Sequence, residues 1–476
     1  MHAPTEEQAA FRRAAVELLE APRGVIKSTA GAGCGKTTAL KGAALDCRKA
    51  GASRLLVLAF SKNLVTDLQA TFGDVAAVRT FNSLAFEWAR NSITGRNVGQ
   101  IYAAHVIEAF DLNSKKLPID HVHFAKVIIG VLSNYCYSSN REISRHNIPS
   151  WVQDPVVGDL AAKYAQVLFN ALRPGAKTRL NLPHDVYVKA WQLDGCNGLS
   201  AFDQVYMDEA NDATDVMLSC LAFARRACYV GDAGQQIFSF RGSKDAMLKV
   251  PGRQYPLTLS FRFGPQIANL ANEILSKKST PPPITLRGMA GKAGRIGPVP
   301  SKEPHTRLFR TNTGVIRDAL VLGDMAESYA IIGDTSDIRE KLNSTYALMR
   351  NSSRDARHPA YAFFKNHDDL AQWAASNPLS EIGLIYDLAR DYSERERDLD
   401  KILSNRHPPN NPRIQLMTCI RAKGREFNNV VVRDDFRTRS TSGFRPPSPT
   451  QLDDELNLLY VAVTRARYCV ELQPEF

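Results

Sequence analysis

The sequence predicts an α/β protein built from two parallel-sheet domains in tandem, and three observations carry that prediction. Between residues 24 and 70 a short apolar strand, a glycine-rich turn, a helix, a second apolar run and a second helix follow one another. That order is the βαβ rhythm of a parallel sheet. Two more strands, at 202–207 and 227–230, end in acidic or glycine-rich turns, so the sheet resumes after a mostly helical stretch. A second α/β region starts near Pro256, with strands expected at 306–311, 329–333 and 430–433.

Taken in order, residues 5–20 form a helix with Thr5 as its N-cap and acids in its first turn. GVIKST at 24–29 is a buried strand, 36–49 a helix, 54–60 (RLLVLAF) a strand and 61–70 a helix. Residues 276–305 are rich in Pro, Gly and Lys, the composition of an exposed connection. Residues 338–412 are polar and helical, and 452–467 is an amphipathic helix. The domain plan that results has a first sheet domain from 1–84 and 196–256, interrupted by a helical insertion at 85–195. A second follows from 257–337 and 413–476, around a shorter helical insertion at 338–412. Trp88, Trp151 and Trp191 stand outside any motif and are assigned to packing.

A chain of 476 residues exceeds one hydrophobic core. No apolar run approaches the roughly 20 residues that span a bilayer, and the N-terminus lacks a secretory pattern. The expectation is a cytoplasmic protein without a membrane partner. Net charge of +11 favours a polyanionic partner, although charge alone fits a merely basic soluble protein equally well. The eight cysteines are scattered with no C-x-x-C pair. That spacing argues against zinc and disulfides and for reduced, mostly buried thiols.

Chemistry concentrates at 30–38, AGAGCGKTT, between a strand and a helix. This is the setting a phosphate-binding loop requires. Ala30, Gly31, Ala32, Gly33, Cys34 and Gly35 present backbone N–H groups that no bulky side chain screens, and the following helix N-terminus adds its positive end. Lys36 supplies a charge for the β and γ phosphates of ATP. Thr37 offers a hydroxyl to Mg²⁺, and Thr38 completes the loop. MDEAND at 207–212 ends the strand that begins at 202. Asp208 is placed to hold Mg²⁺ and Glu209 to polarise an attacking water. Two adjacent acids alone describe a solvated loop; in one chain with a phosphate loop they describe a nucleotide hydrolase site.

In chain order these motifs resemble the helicases of superfamily one, in the UvrD/Rep/PcrA group, and look most like the compact branch with the F-box DNA helicase. The resemblance implies two RecA-like domains, each with a mostly helical insertion, ATP and Mg²⁺ as cofactors, and 3′-to-5′ movement on single-stranded DNA. It places Gln8 on the adenine edge, and FSKN at 60–63, with Phe60, Ser61 and Asn63, on nucleic acid. Thr80 and Asn82 of TFNSL fall in the next strand-contacting motif, with Asn82 where histidine is frequent. In GDAGQQIFSFRG, Gln235 faces the γ-phosphate, and Phe238, Phe240 and Arg241 face bases. Phe261 stacks on adenine and Arg262 reaches the γ-phosphate; Arg465, in LYVAVTRAR, is the second arginine finger.

TCIRAKGREF at 418–427 fits a further motif through Thr418, with Glu426 on the ribose. Ile420 stands there where histidine is usual and Arg425 where leucine is usual, and Asn211 replaces a glutamine. The implied picture is a triphosphate gripped from both domains, whose hydrolysis moves a strand. Implied partners are single-stranded or 3′-tailed duplex DNA and a protein such as a nuclease or a repair or replication factor. Two rival readings are a translocase with little unwinding and a nucleotide-switched binding module.

Overall fold

The computed structural model describes residues 3–59, 62–237, 246–404, 412–438 and 447–476, with the side chains of 62 and 63 outside that set. Phe60, Ser61, Phe238, Phe240, Arg241 and the Asn63 side chain lie outside the described residues. The chain divides into two compact units, residues 1–261 with 282–286, and 262–281 with 287–476.

The first unit is a six-stranded sheet of β1 (Gly24–Thr29), β2 (Leu55–Ala59), β3 (Ala77–Thr80), β4 (Gln204–Met207), β5 (Arg226–Gly231) and β6 (Arg253–Gln254). The order is β3-β2-β4-β5-β1-β6 and every pairing is parallel. All residues of β2 and β4 are buried, which is why β2 reads as a continuous apolar run rather than an alternating one. Helices Phe81–Ala89, Ala103–Phe110, His121–Tyr137, Pro155–Leu172 and His184–Leu193 fall between β3 and β4. Their Phe124, Val131, Leu168 and Trp191 share one core with Leu56, Leu58 and Val205 of the sheet, so the insertion is packed onto the sheet. Trp191 is buried, and Trp88 donates its indole N–H to Asp194 at 3.0 Å. Trp151 corrects the packing assignment: it is 55% exposed.

Two-residue strands β7 (Leu259–Ser260) and β8 (Arg287–Gly288) precede the second sheet. That sheet comprises β9 (Arg295–Ile296), β10 (His305–Phe309), β11 (Tyr329–Ile331), β12 (Ile414–Thr418), β13 (Phe427–Val432) and β14 (Ala466–Leu472). Its order is β11-β12-β10-β13-β14-β9, again entirely parallel. Helices Ser336–Met349, His367–Ser376, Glu381–Asp391 and Glu396–Ser404 lie between β11 and β12. They bury Leu342, Tyr346, Ile385 and Leu399 against Ile316 and Leu320.

The sequence-predicted helix at 452–467 is corrected. The helix is Pro449–Val463, and the chain continues as β14 from Ala466. Thr464 ends the helix by turning its hydroxyl back onto the Tyr460 carbonyl at 2.7 Å, a local bond that competes with helix continuation. All eight cysteines are free and buried. Among the described residues no helix is long and apolar enough to cross a membrane.

Candidate nucleotide site

The loop after β1 is shaped by its glycines. Gly33 and Gly35 both adopt φ of +74°, a left-handed conformation that glycine takes without steric cost. Gly35 is the N-cap of helix Lys36–Lys49, and no side chain caps that end. The first-turn amides are therefore available to an anion. The loop is fixed at its start, where the Gly31 N–H donates to the Leu257 carbonyl at 3.0 Å, and further on, where the Phe261 N–H donates to the Gly33 carbonyl at 2.9 Å.

Strand β4 delivers the acids. The Thr37 hydroxyl donates to the Asp208 carboxylate at 2.7 Å, and Lys36 Nζ lies 3.8 Å from Glu209 Oε1. Glu209 holds φ of +51°, an uncommon backbone for a residue with a side chain and of the kind found at functional sites. Burial works against the Lys36 charge, but Glu209, Asp232 and Asp208 outweigh it and hold its pKa above the usual lysine value. Burial, then the neighbouring Glu209 charge, pushes the Asp208 carboxyl up to about 6, against the Thr37 hydroxyl and Lys36. Two carboxylates share a buried corner with one ammonium. A divalent cation held by Thr37 and Asp208 would relieve that excess of negative charge, so the donor set fits Mg²⁺.

A buried polar bridge joins the tips of β4 and β5. Asn211 donates to the Gln235 carbonyl at 3.3 Å and accepts from the Asp232 N–H at 2.9 Å. Asp232 in turn accepts from the Gly234 N–H at 3.0 Å and from the Gln235 side chain at 2.7 Å. Sequence reasoning named Gln235 and passed over Asp232, although it stands in the same GDAGQQ run.

Gln8 and Phe261 converge on Gly35. A Cβ built there would lie 2.8 Å from Gln8 Nε2 and 3.7 Å from the Phe261 ring. Gln8 is oriented by a reciprocal pair of bonds with Thr5, at 3.2 and 3.1 Å, and donates to the Cys34 carbonyl at 3.2 Å. Glu7 anchors the segment before Phe261, accepting from the Thr258 N–H at 2.8 Å and the Thr258 hydroxyl at 2.6 Å. An amide and an aromatic ring beside the phosphate loop form a place for a flat heterocycle. Burial pushes the Cys34 thiol up to about 12, so it stays protonated at the loop.

In the second unit, Arg262 pairs with Glu426 at 2.8 Å and donates to the Thr464 carbonyl at 2.7 Å. Glu426 is also held by Arg467 at 2.9 Å. Arg465 is 1% exposed and donates to the Val461 carbonyl at 3.0 Å and the Arg425 carbonyl at 3.2 Å. In this conformation its guanidinium closes the end of helix Pro449–Val463. Thr418 caps the short helix Cys419–Ala422, while Ile420 is exposed. In the first unit, Thr80 caps helix Phe81–Ala89 through the Ser83 N–H at 2.9 Å, with Asn82 half-buried beside it.

A phosphate loop on one parallel sheet, with an acid from another strand of that sheet bonded to its threonine and a second parallel sheet downstream, defines a P-loop protein of tandem RecA-like domains. Residues 334–470 match the UvrD-like helicase C-terminal domain. F-box DNA helicase 1 of Gallus gallus is 28% identical across 94% of this chain and 47% of that protein. F-box DNA helicase protein 1 of Schizosaccharomyces pombe is 27% identical across 95% of this chain and 56% of that protein. The chain therefore spans about half the length of these relatives. Among solved structures, the PRRSV helicase overlaps 98% of this chain and 54% of that chain, with a TM-score of 0.35 and 9% identity, an overlap too slight to bear on function. The chain is thus similar to the UvrD-like helicases over residues 334–470, and to the F-box DNA helicases over most of its own length.

Proposed function

We propose that this chain hydrolyses ATP to translocate 3′ to 5′ along single-stranded DNA and to separate strands at a 3′-tailed duplex. The observation that carries the reading is the Thr37–Asp208 bond beside the Lys36–Glu209 pair. On this reading Thr37 and Asp208 would hold Mg²⁺, Lys36 would meet the phosphate and Glu209 would act as the base, all in one buried corner. Bound there, Mg²⁺ would supply charge neutralisation for the triphosphate. Glu209 takes the proton of the attacking water, Lys36 holds the phosphate and Gln235 senses it. Gln8 and Phe261 hold adenine, and Glu426 the ribose. Arg262 and Arg465 serve as the arginine donors, which requires each to leave its present partners. Thr80, Asn82 and Thr418 contact the strand, together with the motif residues at 60–63 and 238–241.

Steady-state hydrolysis with and without single-stranded DNA tests this. Stimulation by DNA is expected, and Glu209→Gln should lower kcat by about a hundredfold or more while the fold persists. Unchanged turnover with DNA, or a fully active Glu209→Gln, would remove the motor reading. A nucleotide-switched binding module is the second reading, favoured by the Arg465 guanidinium being bound to backbone carbonyls. Tight ATP-dependent DNA binding with negligible turnover would support it. A translocase that strips proteins or drives a nuclease would show movement without unwinding.

A further inference from the structure

Gly33 and Gly35 are glycines because of their φ; Gly31 is not among the residues with positive φ. Its missing side chain answers to space. A Cβ at Gly31 would collide with Leu286 Cδ1 and approach Cys34 Sγ to 3.2 Å. Leu286 is 4% exposed. It ends the segment 282–286, which groups with the first unit while the chain on both sides groups with the second. That segment reads PPITL, and its two prolines fix φ and stiffen the approach to Leu286. The loop is thus held at two points around the same residue. The Gly31 N–H is bonded to the Leu257 carbonyl at 3.0 Å, and the Gly31 Cα face is covered by the Leu286 methyl.

We propose that Leu286 is a positioning residue for the nucleotide site: packed on Gly31, it sets where the amides of Gly33, Gly35 and Lys36 meet a phosphate. This rests on the reading of the loop as an ATP site. A leucine suits the task because it makes many weak contacts without competing for the loop's hydrogen bonds. Loss of the methyl leaves the loop bonded at Leu257, Phe261 and Gln8 but uncovers Gly31, whose Cα face can then shift. A displacement of about 1 Å is enough to cost up to a hundredfold in a positioned reaction.

The test measures ATP affinity with a fluorescent ATP analogue in the full chain, alongside KM, kcat and melting temperature. The variants are Leu286→Ala, Leu286→Met, Gly31→Ala and the Gly31→Ala/Leu286→Ala double. Leu286→Ala should weaken ATP about tenfold, beyond any change in melting, and Leu286→Met should restore affinity. Gly31→Ala should also weaken ATP, and the double variant should bind better than Gly31→Ala alone, because the space for the new methyl has been opened. Wild-type affinity in Leu286→Ala, or independent effects that simply add in the double, overturns the proposal. If Gly31→Ala does not fold, the two Leu286 variants decide it alone. A wild-type chain that binds no ATP defeats the nucleotide reading itself, and that result is distinguishable because it precedes any variant.

Discussion

Arg262 and Glu426 show how a single ion pair can carry both stability and readiness. Glu426 sits between Arg262 at 2.8 Å and Arg467 at 2.9 Å. Burial alone would raise its pKa, but the two guanidinium groups outweigh burial and hold the carboxyl below its ordinary 4.5. A depressed carboxylate contributes stability that is complete above the unfolded value and lost as pH falls through the lower folded value. The native chain should therefore lose melting temperature as pH drops below about 4.5, and Glu426→Gln should flatten that part of the curve. Identical pH slopes in the two proteins would show that the pair carries no linkage. The same substitution releases Arg262 from its carboxylate and alters the proposed ribose contact, so a change in KM for ATP reports the second effect and a change in kcat the first.

At the scale of elements, the first helix is the clearest case of a local signal with a remote consequence. Thr5 and Gln8 form a capping box at the start of Glu6–Glu17, satisfying two N–H groups that the helix cannot. Because Gln8 also reaches the Cys34 carbonyl, the cap that starts the helix also orients a side chain at the phosphate loop. Thr5→Ala should cost about 1 kcal/mol of stability and weaken ATP binding as well. Denaturant unfolding and nucleotide titration check the two effects. A variant that is less stable but binds ATP unchanged would separate the cap from the site.

The phosphate loop was legible in the sequence because the glycines at 33 and 35 and the Lys36–Thr37 pair are written into adjacent positions. Asp208 was legible because an acid directly follows the apolar end of a strand, Val205–Met207. Strand β14 was not. Residues 464–467 continue the helical spacing of the segment before them, and only pairing with β13 shows that Ala466–Leu472 is extended. Strand β12 is five residues long behind a proline-rich stretch of sequence, too short to declare its period. Trp151 was assigned to the interior on residue type alone, and its exposure is a property of the packed helices around it. Leu286 carries no chemistry to notice, and its relation to Gly31 exists only in three dimensions.

For the whole molecule, the question is where an excess of 11 positive charges resides. In the second unit's helical insertion three of the basic residues are matched by acids: Arg339 with Asp400 at 2.6 Å, Arg350 with Glu396 at 2.6 Å, and Arg395 with Asp324 at 2.7 Å. In the first unit, Arg145 is paired with Asp159 at 2.6 Å. Such pairs are screened and contribute little to stability, but they do neutralise these faces toward a polyanion. On the proposed function, DNA affinity would depend on the cations outside such pairs, which are fewer than the composition suggests. If the strand neutralises four to six of them, the logarithm of affinity should fall with the logarithm of salt at a slope of about −3 to −4. A fourfold rise in salt would then weaken binding about a hundredfold. Fluorescence anisotropy with a labelled single-stranded oligonucleotide across a salt series measures that slope, and an RNA strand of equal length shows whether the sugar matters. Charge reversal at Arg339 or Arg395 should leave the slope unchanged, because those guanidinium groups are engaged by carboxylates. A flat salt dependence would place the affinity in uncharged contacts and detach the chain's basic excess from nucleic acid.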